Sequence, residues 1–153
     1  METRFSVTRD RKINIALLPG ERALLARVVS GLDTLDADRA DPGYVRLHPP
    51  VYLGDDTASG EWWRLMGDQL ERARSDDRAV FDRVVAEPGS QLTVGEARSF
   101  LRVVNQGRLV FAARHGIEVA EDMEELDEDV DVALWFFSYV VDDLSTVLGG
   151  LLR

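Results

Sequence analysis

The sequence predicts a mainly α fold, a helical bundle of four to five helices with an N-terminal β-hairpin. Three observations carry that prediction. Apolar residues recur at three-and-four spacing in several separate stretches, the period of a helix face. Helix start and stop signals bracket those stretches. Two-residue alternation near the N-terminus fits a pair of short strands. The chain has 153 residues, the size of one ordinary domain, and reads as a single unit over 1–153: a hairpin at 5–18 and a helical body at 19–153 with an acidic segment at 118–131.

Residues 5–9 and 12–18 alternate apolar and polar around Asp10-Arg11, so they read as a hairpin whose turn lacks the glycine of the strongest turn signal. A lone hairpin is marginal in water and must pack on a helix or pair across subunits. Pro19 and Glu21 open a helix, which Leu24, Leu25, Val28 and Leu32 continue before it fades over 33–38. Residues 41–56 read as loop, with room for one helical turn at 44–47. The next helix spans about 59–86 on a stripe of Trp63, Met66, Leu70, Ala73, Asp77, Val80 and Val84. Asp77 interrupts that stripe and points to a kink or break near 75–76. Glu87-Pro88-Gly89 ends it.

Thr93 and Glu96 form a capping box and Gly116 a C-terminal stop, which brackets a helix at 94–115. Ala97, Phe100, Leu101, Val104 and Phe111 share its apolar face, and Arg108 falls inside that face. A charge placed there needs a partner. Asp142 and Asp143 of the last helix are the expected ones, in a structural ion pair. That last helix, 129–152, carries a heptad seam of Ala133, Phe137, Val140, Leu144, Val147 and Leu151, widened by Leu134, Phe136, Val141, Leu148 and Leu152. So apolar a helix is either central in the core or shared between subunits, and a homodimer is expected on this ground.

The net charge is −10 and the sequence pI near 4.6, which argues against broad charge-driven binding to nucleic acid or anionic membrane. The excess is localised. Residues 1–114 hold 17 acids and 17 bases, whereas 115–152 hold eleven acids and no Lys or Arg. Such a block is ordinarily a solvated approach to a helix; the alternative is a face for a basic partner. Glu124, Glu125 and Glu128 are the candidate contacts in it. Trp62, Trp63 and Trp135 are candidate partner anchors, against the simpler reading of core packing. Arg9, Arg11 and Lys12 form a small basic cluster, either solvated ion pairs or direct DNA contacts.

Catalytic chemistry finds little to work with. His48 precedes two prolines, His115 sits at a helix C-terminus, and no nucleophile, base and orienting group assemble from named motifs. Asp127-x-Asp129-x-Asp131 imitates a calcium loop, but Val132 stands at the sixth position and Ser138 at the twelfth. No phosphate loop occurs. Zero cysteines remove disulfides, thiolate metal sites and thiol switches. The expectation is therefore no enzyme, no cofactor and no metal. The longest uncharged apolar run, 132–141, is half a membrane span, and residues 1–10 lack a signal-peptide core, so a cytoplasmic location is expected.

Asn105-x-x-Arg108-Leu109-Val110, followed by Arg114-x-Gly116-Ile117, resembles the signature helix of an actinobacterial family first catalogued as a domain of unknown function. Members of that family are described as AosR-like oxidative-stress transcriptional regulators. Asp41-Pro42 and Arg46-Leu47-x-Pro49-Pro50-x-Tyr52 are similar to it as well, as is the order of strand pair, helix and closing apolar helix. The resemblance implies a non-catalytic cytoplasmic regulator acting by protein–protein contact, with transcription machinery such as a sigma factor as partner. Family genes lie near a Clp adaptor and sulfur-assimilation genes, which implies as alternative a binding module regulating proteolysis or sulfur metabolism. Redox-sensing members use a cysteine pair. This chain has none, so that switch cannot operate here.

Overall fold

The computed structural model describes residues 3–151, with the side chains of Ala120 and Glu125 left out. The fold is mainly helical behind an N-terminal hairpin, as the sequence predicts. Strand β1 (Phe5–Val7) pairs antiparallel with β2 (Ile13–Ile15), Phe5 opposite Ile15. The turn is a three-residue loop: Thr8 N–H donates to the Lys12 carbonyl at 2.8 Å and Arg11 N–H to the Thr8 carbonyl at 3.1 Å. Its last residue, Arg11, takes φ 62°, a left-handed conformation that costs a non-glycine residue about 1 kcal/mol. The Arg11 guanidinium offsets that cost by donating to the Leu151 carbonyl at 2.7 Å, one of the carbonyls that a helix end leaves without a partner. A third strand, β3 (Gln91–Leu92), joins the free edge of β2 to give the order β1-β2-β3. Two residues are too few to show a period, which is why the sequence does not reveal it.

Helix α1 (Pro19–Val29) begins on its proline, and the Glu21 carboxylate accepts from Leu18 N–H at 2.8 Å and from Arg4 Nε at 2.9 Å. Residues Ser30–Ala37 continue as a 3-10 helix. The stretch read as loop contains a short helix, α2 (Pro42–Leu47), capped by Asp41, which accepts from Gly43 N–H at 2.7 Å. Helix α3 (Asp56–Ala86) runs 31 residues without the expected break. The reason is Arg102, whose Nε and a terminal nitrogen each donate to the Asp77 carboxylate at 2.8 Å. A carboxylate paired in this way sits on the inner face without diverting the backbone, so Asp77 is buried in an intact helix.

Helix α4 (Val94–Arg114) is the axis of the molecule. Its capping box is formed, with Glu96 N–H donating to Thr93 Oγ1 at 3.1 Å and Thr93 N–H to Glu96 Oε1 at 3.0 Å. Helices α1, α2, α3 and α5 (Glu128–Leu151) all pack on α4. A Cβ on Gly107 would lie 3.0 Å from Val29 Cγ2 and 3.5 Å from the Phe137 ring, so three helices meet at that glycine. The Phe100 ring lies between Phe81, at 5.4 Å, and Phe5, at 6.2 Å. Helix α5 is long and apolar enough to cross a membrane by length and composition; here it buries Ala133, Leu134, Phe136, Phe137, Val140, Leu144 and Leu148 in the core.

The expected ion pair of Arg108 with Asp142 or Asp143 is not formed. The Arg108 guanidinium donates to Asn105 Oδ1 at 2.8 Å and to Ser138 Oγ at 3.4 Å. Asp143 is committed elsewhere, accepting from Thr3 Oγ1 at 2.8 Å and Arg4 N–H at 3.1 Å, and Asp142 is exposed. Arg108 is only half-buried, so neutral acceptors and solvent satisfy a charge that a deeper position would have forced onto a carboxylate.

Candidate functional site

The site begins with a tether. The Arg114 guanidinium, in the last turn of α4, donates to Asp41 Oδ2 at 2.7 Å, the Gly31 carbonyl at 2.8 Å and Thr34 Oγ1 at 3.1 Å. One side chain thus ties the 3-10 segment and the cap of α2 to the central helix. Hydrogen bonds from Arg114, then from Gly43 N–H, hold the Asp41 carboxyl below its ordinary range. A Cβ at Gly43 would come within 2.7 Å of Val110 Cγ1, so α2 can approach α4 this closely only with glycine there. Arg114, Asp41 and Pro42, three residues that carry the family resemblance, meet at this joint.

The joint sets one wall of a groove of about 980 Å³. Leu35, Tyr44, Leu47 and His48 belong to that wall. The N-terminal part of α3 forms the other, with Gly60, Trp63, Gly67, Leu70 and Arg74 recurring on one side of the helix, and Val103 and Gln106 of α4 complete the lining. Four rings run in series at one end. Tyr44 stacks on His48 at 3.9 Å and 12°, His48 meets Trp63 at 4.9 Å, and Trp63 meets Trp62 edge-on at 5.0 Å. Trp63 Nε1–H donates to the Pro49 carbonyl at 3.1 Å, and His48 Nδ1 lies 2.8 Å from the Tyr44 carbonyl. The Arg74 guanidinium donates to the Leu47 carbonyl at 3.1 Å; burial lowers its pKa, against the attraction of Asp36 and Glu71.

Both Trp62 and Trp63 are half-buried; Trp63 lines the groove and Trp62 packs edge-on against it. The sequence missed Tyr44, His48 and Arg74 as lining residues. Their signal was the Pro42-Gly43 helix start followed by Tyr44 and His48 four residues apart, a spacing that stacks two rings on one helix face.

A second surface lies at the start of α5. Trp135 is 55% exposed and stacks on Tyr139 at 5.9 Å and 10°, and Val132, one turn earlier, is 53% exposed. Glu124, Glu128, Asp129 and Asp131, which precede them in the chain, are exposed; the Glu125 side chain lies outside the described residues. The acids have a local cause. Asp131 N–H donates to the Asp127 carbonyl at 3.0 Å, so the Asp-x-Asp-x-Asp run is the first turn of α5, where negative charge suits the helix dipole. The Asp122 carboxyl, likewise, is lowered by accepting Glu118 and Val119 N–H groups. Arg9, Arg11 and Lys12 sit apart from both surfaces at the exposed hairpin tip, where Lys12 Nζ lies 4.0 Å from Asp10 and Arg11 is held by Leu151.

These features define a helical protein built around one central helix, with a ring-lined groove on one flank and an acid-flanked aromatic pair on another. Residues 2–151 match the family described as Domain of unknown function (DUF2017), and the chain belongs to that family. No curated protein and no solved structure matches it.

Proposed function

We propose that this protein is a non-catalytic cytoplasmic regulator of transcription that works by binding another protein, as AosR-like regulators do, with a sigma factor as the partner. The observation that carries the reading is Trp135: a large aromatic side chain, 55% exposed and stacked on Tyr139, on a helix whose first turn is acidic and whose other large apolar residues turn mostly inward. Exposed tryptophans are frequent anchors in protein interfaces, and a surrounding acidic field favours a partner face rich in Arg and Lys. With no cysteine, no signal reaches this protein through thiols of its own.

The test is affinity capture from the native host with the wild-type chain and with Trp135→Ala plus Glu128→Lys. Recovery of a sigma factor by the wild type and its loss in the variant supports the proposal. Recovery of a Clp component instead favours a role in proteolysis. A mobility-shift titration at low and physiological salt addresses the hairpin arginines; no shift at either salt removes direct DNA contact.

A further inference from the structure

Residues 38–55 leave the 3-10 segment, form α2 and return into α3, and Gly43 and Leu47 are the only buried residues among them. The cluster they complete, Leu35, Leu47 and Val110, is separate from the main core, to which 38–55 contribute no apolar side chain. The rest of the attachment is polar. Arg74 reaches the Leu47 carbonyl, Trp63 the Pro49 carbonyl, and Ser59 both backbone groups of Tyr52. Among the described residues, Arg114–Asp41 is the only ion pair that ties the stretch to the rest of the protein. Below α2, the surface of α4 continues the floor of the groove. Val103 and Gln106 line the groove, whereas Val110, two turns beyond Val103 on the same helix face, is sealed under Gly43 and Leu47.

From this arrangement we propose that 38–55 are a releasable strap, which lifts off α4 as a unit while the main core stays folded, with the Arg114–Asp41 ion pair as its latch. Local opening is easiest where little apolar surface is lost, and the loss here is confined to the Leu35–Leu47–Val110 cluster. The main core keeps all its members, because none of them lies in the strap. The ends of the strap suit the motion: residues 38–40 are all exposed, and Gly54 takes φ 77°, a conformation open to glycine. Asp41 makes the release concerted. Its carboxylate accepts from Gly43 N–H at the start of α2 and from Arg114, so one group caps the strap's helix and fastens it. Release lengthens the groove floor from Val103 to Val110. The device lies on the groove flank and is independent of the sigma-factor reading, which concerns α5.

Hydrogen exchange of the full chain in increasing sub-denaturing urea, read by mass spectrometry on peptides from 43–48 and 97–104, tests it. In the wild type the 43–48 amides are expected to be protected, yet to open about a hundredfold more often than those of 97–104. Their opening should depend little on urea, because it exposes little surface. Val140→Ala, in the main core and outside the strap's cluster, should speed exchange at 97–104 by about tenfold or more and leave 43–48 within about twofold. Asp41→Asn keeps an N-cap and gives up the charge; it should speed 43–48 by about threefold or more. Gly43→Ala, whose Cβ must push α2 off Val110, should speed 43–48 by about tenfold. Equal opening and equal urea slopes at the two peptides in the wild type overturn the strap, without need of any variant. So does Val140→Ala speeding both alike, or 43–48 showing no protection at all. An Asp41→Asn protein whose 43–48 exchange is unchanged overturns the latch.

Discussion

Helix α5 and the outer part of α3 are both long, yet they are held in opposite ways. Helix α5 buries seven apolar residues in the core and carries three of its five acids, Glu128, Asp129 and Asp131, in the first turn. Over 56–76, α3 buries a single serine, whose Oγ bridges Tyr52 N–H at 2.9 Å and the Tyr52 carbonyl at 3.0 Å, and its inner anchors come only later, at Asp77, Phe81 and Val84. Helical period is therefore no measure of how firmly a helix is fixed. A stripe shows which side turns inward, and the neighbours decide whether anything meets it.

Large-to-small substitutions should separate the two helices most. Phe137→Ala removes a fully buried ring beside Gly107 and should cost about 3–5 kcal/mol in urea unfolding, whereas Leu65→Ala in dilute protein should stay within about 0.5 kcal/mol. Equal losses would erase the contrast.

Next in size is the link between α3 and α4. The Asp77 side chain is 10% exposed and its partner Arg102 is 54% exposed. Arg102→Ala strands a shielded carboxylate and should cost about 2 kcal/mol, while Asp77→Ala releases an arginine into water and should cost about half that. Hydrogen bonds from Arg102 hold the folded Asp77 carboxyl below 3.8 against the opposing effect of burial, and Glu96 is lowered below 4.5 by the Thr93 backbone. The unfolded chain then binds more protons in acid than the folded one. The resulting stability is fully present above the unfolded carboxylate values near pH 4 and is lost as pH falls through the lower folded ones. Urea midpoints at neutral pH and near pH 3 should show this loss, and Arg102→Ala should shrink it.

Glycines give the sharpest contrast, because the sign reverses. Gly67→Ala meets nothing within 4 Å and should raise stability by about 0.5–1 kcal/mol, a gain in melting temperature. Gly107→Ala must displace Val29 and should lower it by about 1–3 kcal/mol. A gain at both positions would show that α1, α4 and α5 are not closely packed there.

The elements themselves were largely legible. Proline, capping-box and glycine signals place the ends of α1 and α4 because those groups act locally. The α3 kink was misread because a lone Asp in an apolar stripe looks like a break until Arg102, 25 residues away, supplies its bond. Arg108 was misassigned for the converse reason: an apolar neighbourhood on a helical wheel overstates burial. Trp62, Trp63 and Trp135 stood out by composition. The Tyr44–His48 stack and the Arg114 tether did not, since the first sits in a segment read as loop and the second joins residues 73 positions apart.

The bonds from Thr3 to Asp143 and from Arg11 to Leu151 each span 140 residues. Synthesis runs from the N-terminus, so the hairpin is made well before the helix that closes over it. During synthesis Phe5 and Ile13 must wait for α5 to emerge before their pocket is complete. A ribosome-bound chain arrested before residue 128 should therefore keep the hairpin open to proteolysis, and protection should appear as a single late event when α5 is released.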